Sequence, residues 1–354
     1  PLDAVLPLLA AVADSPSHHL VAAVVEILAK LDPHLVPAGR RAAYEAFVRQ
    51  LFGERARALG LLPRPGESDE ERFLRKEVVV LVADHGGDER LRAEGRRLAE
   101  RWLEDREAVP PEAADLALVA AALSGDAALY DRYLAALRAE PDRRHRTRLL
   151  SGLFSFREPA LVRRSWGLLL DPEIDPREVV RALRDSARGP DSPPAGLELL
   201  EGHVERLAAR LPEQWAMDLP RLIGELCGRE HLPRLEALRP RLAPIRGAGD
   251  ELDAALEQLR LCLARRAAQL PAAECFFGLV TTLGISSTRT SSRGRAISRR
   301  RSSGPARSTT PAPPTRSVPA NSRSMAASSG SAPSGGGRLA RPADSDFEAD
   351  RAVL

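Results

Sequence analysis

The sequence predicts an all-α protein followed by a disordered tail. From the first residues to about residue 277, apolar side chains recur three and four positions apart, and the alternation typical of strands is nearly absent. Pro, Gly and Asp divide this region into segments of roughly 10 to 20 residues, the usual length of a helix. From residue 278 onward Ser, Arg, Pro, Gly and Thr dominate, a composition that cannot bury a core.

Local signals place individual helix ends. Ser68 followed by Glu71 is typical of a capping box, and Asp175 before Pro176 is typical of an N-cap with Pro in the first turn. The segment 88–104 carries one apolar stripe and a charged remainder, so it predicts an amphipathic helix. Glycines are expected to stop three helices, and further breaks should separate the others. The glycine stops are Gly60, Gly86 and Gly228; the breaks are 14–16, 32–33, 125–126, Pro141, 171–172, Pro212 and Pro240.

Short helices with one apolar face must stack on one another to bury it. The stretch 148–183 shows the pattern best, with three successive apolar faces. We therefore expect residues 1–277 to form stacked antiparallel helix pairs in an armadillo- or HEAT-like solenoid, although no repeat is strict enough to fix a period. The β-branched run 78–82 could be a strand. Its flanks continue a helical pattern, so a buried helix face is predicted.

The basic charge belongs to the tail. The whole chain carries a net charge of +3 and has a pI near 9.1. Residues 1–277 hold 40 basic and 45 acidic side chains, whereas residues 278–354 hold 12 and 4. A nucleic-acid-binding arm around 289–301 is therefore the weakest interpretation, because no aromatic is interleaved to stack on bases. A flexible tail and translation in a shifted reading frame are the others, and the absence of any acid from 278 to 343 favours the frameshift.

Several functional classes are excluded. Neither Lys30 nor Lys76 is followed by Ser or Thr, so there is no Walker A phosphate loop. The longest apolar run, 116–123, has 8 residues against the roughly 20 that cross a bilayer, so no membrane span is predicted. Three widely separated cysteines indicate neither a disulfide framework nor a zinc knot, and we expect buried thiols in a reduced or indifferent setting. The sequence does not define the compartment, and the cytoplasm is the one favoured. The cysteines are Cys227, Cys262 and Cys275.

No catalytic constellation is recognisable. None of the histidines stands in an H-E-x-x-H helix, and the adjacent pair His18–His19 should point to different helix faces. G-x-S-x-G is absent, and the G-x-G at Gly247 should open the last helix. Carboxylate pairs such as Glu70–Glu71, and Glu173 with Asp175, stand at predicted helix N-termini, where the macrodipole favours them. No catalytic, cofactor-binding or metal-ligating residue is predicted. The histidines are His18, His19, His34, His85, His145, His203 and His231.

The order of short motifs resembles a known family. Leu59-Gly60, Gly66-Glu67 and Leu74-Arg75 resemble the L-G-W…G-E…L-R turn in the C-terminal helical domain of the zinc aminopeptidases, with Leu61 or Leu62 where Trp is usual. The helix 44–51 resembles the one that leads into this turn. The other matches are Arg96-Arg97 to Trp102, Asp126 to Leu137 with Tyr130 and Tyr133, Gly196 to Leu207 with Leu197 and Val204 where Trp is common, and 252–277 as a final helix pair.

The resemblance implies a non-catalytic domain. In that family the catalytic residues belong to an upstream domain. They are the zinc ligands of H-E-x-x-H plus a distant Glu, the G-x-M-E-N loop and a catalytic Tyr. None of those motifs occurs here. The chain is therefore expected to be a fragment, truncated at its N-terminus, that covers the active site of its own upstream catalytic domain and restricts peptide substrates. Zinc would be held by that domain and not by this chain. Membrane and nucleic acid are not expected partners.

One alternative comes from a different functional class. A free-standing HEAT-like scaffold that binds protein partners would show the same helical pattern. An exposed apolar surface at the position of a missing domain would favour the fragment instead.

Overall fold

The computed structural model describes residues 2–283, except 32, 33, 38, 187, 188, 190, 191 and 225. Within these residues the chain is all-helical, and no strand occurs. The predicted fold class is confirmed. The α-helices are α1 Leu2–Val12, α2 His18–Leu31, α3 Arg41–Leu59, α4 Asp69–Leu74, α5 Val80–Asp84, α6 Glu89–Glu104, α7 Pro111–Ala122, α8 Ala127–Ala139, α9 Arg143–Leu153, α10 Pro159–Gly167, α11 Pro176–Ser186, α12 Ser192–Arg210, α13 Glu213–Ala216, α14 Leu219–Leu222, α15 His231–Ala237, α16 Arg239–Leu242 and α17 Ala248–Leu283.

The first five helices form the N-terminal part of the core. A single turn of π-helix, Arg75–Val79, joins α4 to α5, so the β-branched run 78–82 is helical as predicted. Val78 and Val82 are fully buried. The Tyr44 hydroxyl, on α3, donates to the Leu28 carbonyl of α2 at 2.8 Å. Because this hydroxyl is buried, its hydrogen bond satisfies a group that would otherwise be costly to desolvate.

Helices α6 to α12 pack in two alternating series. Helix α7 contacts α6 and α9, and α9 contacts α8 and α11, while α10 contacts α12. The predicted N-cap of α11 is present, since Asp175 accepts from the backbone N–H of Arg177. Asp88 and Asp126 also act as N-caps and accept from the backbone N–H groups of Leu91 and Leu129. Each begins its helix by satisfying a backbone N–H that has no partner within the helix.

Helix α17 connects the two ends of the described region. It contacts α14, α15 and α16, which come shortly before it in the sequence, and it also contacts α1 and α3. Its Phe277 is fully buried and lies edge-on to the ring of Tyr44. The Gln269 side chain accepts from the Leu2 backbone at 3.1 Å. Residues distant in sequence therefore share one hydrophobic core.

Three expectations about the C-terminal part were wrong. The predicted final pair over 252–277 is one continuous helix with Pro271 inside it. That helix runs to Leu283, so the first residues of the predicted tail are helical, and the rest of the tail lies outside the described residues. Gly228 does not stop a helix. The left-handed backbone of Gly224, with φ of 84°, follows α14 and ends that segment.

None of the helices in the described residues combines the length and the hydropathy needed to span a bilayer.

Candidate functional site: the buried turn, the arginine pairs and the Cys227 pocket

The turn between α3 and α4 brings together the residues of the strongest sequence resemblance. Gly60 ends α3 with φ of 61°, and Gly66 has φ of 76°, a conformation that Gly adopts without strain. Ser68 and Glu71 then form the predicted capping box at the start of α4. The turn is therefore defined at each end by a residue type that its backbone requires.

An ion pair lies at the centre of this turn. The guanidinium of Arg75 pairs with the carboxylate of Glu67, and the two side chains are only 4% and 1% exposed. Arg75 also donates to the carbonyls of Leu59 at 3.0 Å and Leu62 at 2.7 Å. The side chain of Leu61 is fully buried beside them, whereas Leu62 is partly exposed. This arrangement holds the turn in one conformation and presents no reactive group to solvent.

Arginine side chains also cover the ends of other helices. Arg106 donates to the carbonyls of Trp102 and Leu103 at the end of α6, and Arg146 donates to Leu137 at the end of α8. Arg92 bonds the carbonyls of Ala83 and Asp84, which end α5. Arg210 bonds the carbonyl of Leu169, in the short 3-10 turn after α10, and that of Ile174 in the loop before α11. The last carbonyls of a helix lack partners within it, so each guanidinium satisfies them and complements the negative end of the dipole.

Arg106, Arg146 and several other arginines pair with carboxylates about one helix pair away in sequence. The separations cluster between 32 and 36 residues, which is a structural period that the sequence did not reveal. Such an offset brings together positions one helix pair apart, as in Arg146 of α9 with Glu178 of α11. The pairs are Arg106–Glu140, Arg138–Asp171, Arg146–Glu178, Arg148–Asp115, Arg164–Asp131, Arg184–Asp218, Arg234–Glu201 and Arg241–Glu205.

These pairs shift the pKa values of the acids. The hydrogen bond from Arg241 lowers the pKa of Glu205 to about 2. Burial is the largest single influence on Glu140 and would raise its pKa, but the hydrogen bonds from Arg106 and the Asp142 backbone, with the charges of Arg106 and His145, together lower the pKa. At Asp115 the balance is reversed, because burial raises the pKa more than Arg148 lowers it. These acids therefore serve as partners for arginine.

Five of the histidines are dispersed over the structure. The rings of His18 and His19 lie 3.8 Å apart, so they do not point to different faces as expected, and His18 bonds Glu70 at 3.0 Å. His85 packs edge-on to Tyr44, and His145 to Trp102. His203 is half-buried at a kink in α12. The absence of a catalytic residue in this chain stays a prediction.

The remaining two histidines lie with cysteines around one pocket, and here the sequence expectation was wrong. Cys227 and Cys262 form a disulfide, and Cys275 is exposed, so the chain does not hold three buried thiols. One nitrogen of His34 lies within 4.8 Å of both cysteine sulfurs. The pocket has a volume of about 600 Å³, opens to solvent and includes His231 in its lining. Among the described residues, His34, Cys227 and Cys262 are the group whose possible metal-ligand atoms all lie within 4.8 Å of one another.

The disulfide has the same offset as the ion pairs. Its cysteines are 35 residues apart, within the range that separates the paired arginines and acids. Once that period is known, the cysteine spacing indicates a contact between neighbouring helices. The disulfide could not be predicted without this offset. The offset is seen in the spacing of paired arginines and acids, and no repeated apolar pattern shows it.

Comparison with known proteins agrees with the resemblance in the turn. Residues 1–261 match the model of the family described as the ERAP1-like C-terminal domain. A probable aminopeptidase 2 from Sulfurisphaera tokodaii is 35% identical over 104 residues, which cover 29% of this chain and 13% of that relative. The match thus spans a small part of the relative's length. Because the family model covers most of the chain, including the turn with its Glu67–Arg75 pair, the protein belongs to the family of the ERAP1-like C-terminal domain.

Proposed function

We propose that the chain is the C-terminal helical domain of a zinc aminopeptidase, a non-catalytic part that covers the active site of an upstream catalytic domain and restricts its peptide substrates. The observation that carries the proposal is the family match over residues 1–261. The relative that aligns with part of the chain is named an aminopeptidase, which supports the same assignment.

Exposed apolar side chains on the N-terminal helices support a missing partner domain. Leu8, Leu20 and Phe73 are 58%, 50% and 65% exposed, and Ile27 is 37% exposed. They lie on α1, α2 and α4, and α2 contacts both of the other helices. Several large apolar residues exposed on contacting helices are typical of a surface that another part of a protein covers. The upstream catalytic domain is the occupant we propose for it.

The catalytic zinc would belong to that upstream domain. This sequence holds no H-E-x-x-H, and the two histidines closest to a metal-binding arrangement, His34 and His231, lie with cysteines and not with a glutamate ligand pair. The residues present therefore do not fit the zinc site of an aminopeptidase. The helices of this chain would act by closing over the site, excluding water and limiting the length of peptide that fits.

The alternating helix contacts also suit a stacked, HEAT-like arrangement. The offset of 32 to 36 residues in the ion pairs supports a repeated unit of about two helices, which is the basis of such solenoids. In the proposed function, this stack forms the wall over the active site. In a free-standing scaffold, it would bind a protein partner instead.

Sequencing the genomic DNA upstream of the Pro1 codon tests the assignment. We expect the same reading frame to encode H-E-x-x-H and G-x-M-E-N upstream of this chain. A start codon directly before Pro1 would contradict the proposal and favour the free-standing scaffold. Reading on past the codons for residues 278–354 would also show whether that segment is in frame.

The restricting role needs a separate measurement on the intact protein. Release of the N-terminal residue is measured for peptides that differ only in length. We expect the rate to depend strongly on length if the helical domain limits the space over the active site. A rate independent of peptide length would overturn the restricting role and leave the aminopeptidase assignment standing.

A further inference from the structure

Three segments far apart in sequence meet at the Cys227 pocket. His34 follows α2, Cys227 precedes α15, and Cys262 belongs to α17. One nitrogen of His34 and the Sγ atoms of both cysteines all lie within 4.8 Å of one another. Both cysteines are buried, and His34 is half-buried. Two sulfurs and an imidazole form a donor set that soft or borderline divalent metals prefer.

The surroundings of this cluster are also suited to a cation. His231 lines the same pocket and is 92% buried, since its exposed fraction is 8%. Its Nδ1 is buried, and among the described residues it has no hydrogen-bond partner. Its Nε2 lies 3.5 Å from a carboxylate oxygen of Glu230. A histidine with one nitrogen near a carboxylate and the other without a partner is the usual form of a metal-binding imidazole.

The distances require small movements. In a tetrahedral zinc site with Zn–S bonds of about 2.3 Å, the two sulfurs lie about 3.8 Å apart. The sulfurs of Cys227 and Cys262 are now joined in a disulfide, and their Cα atoms are 5.5 Å apart. Once the S–S bond is broken, rotation of the two side chains can separate the sulfurs without a large shift of either backbone. The pocket next to them provides room for an ion and for water.

We propose that, when the disulfide is reduced, Cys227, Cys262 and His34 bind a zinc-type divalent cation, with the fourth position open to the pocket where His231 lies. The site thus has two states, a disulfide and a metal complex, and each links α17 to the loop before α15. The metal state additionally fixes the segment after α2, because His34 is a ligand. This inference concerns residues within the chain and does not depend on the proposed function.

The chemistry balances with a thiol reductant. A dithiol gives two electrons and two protons to the cystine, so the Cys227–Cys262 bond breaks, two cysteine thiols form, and the reductant closes its own disulfide. Binding of the cation then displaces both thiol protons to solvent and forms two metal–sulfur bonds. A bound metal protects both sulfurs from oxidation back to the disulfide.

Cobalt(II) titration of the reduced 354-residue chain tests the proposal. We expect one tightly bound cobalt per chain with a thiolate-to-cobalt charge-transfer absorption, which zinc then displaces. Cys275→Ser is the matched control, because this cysteine is exposed, and it should bind as the wild type does. His34→Ala removes a direct ligand and should lower zinc affinity by more than about 100-fold. That figure is the upper range for changes to residues that only hydrogen-bond to metal ligands.

Alkylation of the cysteines gives a second readout that does not rely on absorption. With zinc present, Cys227 and Cys262 should be protected while Cys275 reacts, and a chelator should abolish this protection. The proposal is overturned if the reduced wild type binds metal no better than the C227S/C262S double variant, or if His34→Ala binds as tightly as wild type. Circular dichroism of each variant verifies that it is folded.

Discussion

Arg75 and Glu67 form an ion pair in which both side chains are buried beneath the turn between α3 and α4. The guanidinium also bonds the carbonyls of Leu59 and Leu62, so one side chain holds both ends of the segment 59–62. The residues that carry the family resemblance are therefore the ones that stabilise this turn. Their role is structural, because they hold the turn in one conformation.

Glu67→Gln should destabilise the chain strongly. The substitution leaves the Arg75 charge buried without its counter-ion, which costs about 3–5 kcal/mol in comparable buried pairs. Urea denaturation measures the loss. Glu26→Gln is the matched control, because Glu26 pairs with Lys30 while both side chains are more than half exposed, and its effect should be below about 1 kcal/mol. Equal effects from the two variants would contradict the assigned role of the buried pair.

Arg146→Met should cost more stability than Arg184→Met. Arg146 is 17% exposed, pairs with Glu178 at 2.8 Å and also donates to the Leu137 carbonyl. Its removal leaves partly buried acceptors unsatisfied, at a cost of about 2–3 kcal/mol. Arg184 is 49% exposed and pairs with Asp218, so its loss should cost about 1 kcal/mol or less. If the order were reversed, helix capping by arginine would not be the important contribution.

The helical class and most helix starts could be predicted because both depend on local signals. Apolar spacing and capping side chains act within one or two turns, and Ser68 and Asp175 each cap the helix that the sequence predicts for them. The continuity of α17 could not be predicted in the same way. A proline normally ends a helix, but α17 continues past Pro271 because Ala273 and Phe277 are buried in the core.

The candidate site was missed because it depends on contacts between distant segments. Nothing near His34 in sequence indicates that it lies beside Cys227 and Cys262, since the fold brings the segment after α2 to these two cysteines. The arginine caps were missed for a similar reason. Arg210 bonds the carbonyl of Ile174, which is 36 residues earlier in the chain. Such partners follow from the period of the helix stack, and the apolar pattern alone does not reveal that period.

Gly196→Ala should destabilise the chain while Gly167→Ala should not. A Cβ at Gly196 would lie 2.7 Å from the indole ring of Trp166, which is buried and cannot move away easily. Overpacking of this kind costs about 1–3 kcal/mol. Gly167 has helical φ and ψ and open space around its Cα, so Ala there should add about 0.5–1 kcal/mol. Thermal unfolding of both variants compares them. A neutral Gly196→Ala would mean that α10 and α12 pack less closely than described.

Stability should fall as the pH drops from about 5 towards 2, and Glu205 should contribute to the fall. Its pKa in the folded chain is lowered to about 2 by the hydrogen bond from Arg241, below the ordinary value of 4.5. A lowered pKa means that the unfolded chain binds the proton first, so this stabilisation is complete above the ordinary value and is lost as the pH approaches 2. Glu205→Gln should give a flatter profile of unfolding free energy against pH. An unchanged slope would show that the Arg241 pair does not persist in solution.

Reduction of the disulfide in the presence of a chelator should lower the unfolding free energy. Cys227 and Cys262 close a loop of 35 residues, for which the chain-entropy relation gives about 4 kcal/mol, and measured effects are often about 2–4 kcal/mol. The C227S/C262S variant should show the same loss of unfolding free energy without reductant. Cys275→Ser should keep the unfolding free energy of the oxidised wild type. Denaturation curves of the oxidised and reduced chains give the difference directly. If they coincide, the bond would not constrain the unfolded chain, and the loop before α15 would be held to α17 by packing alone.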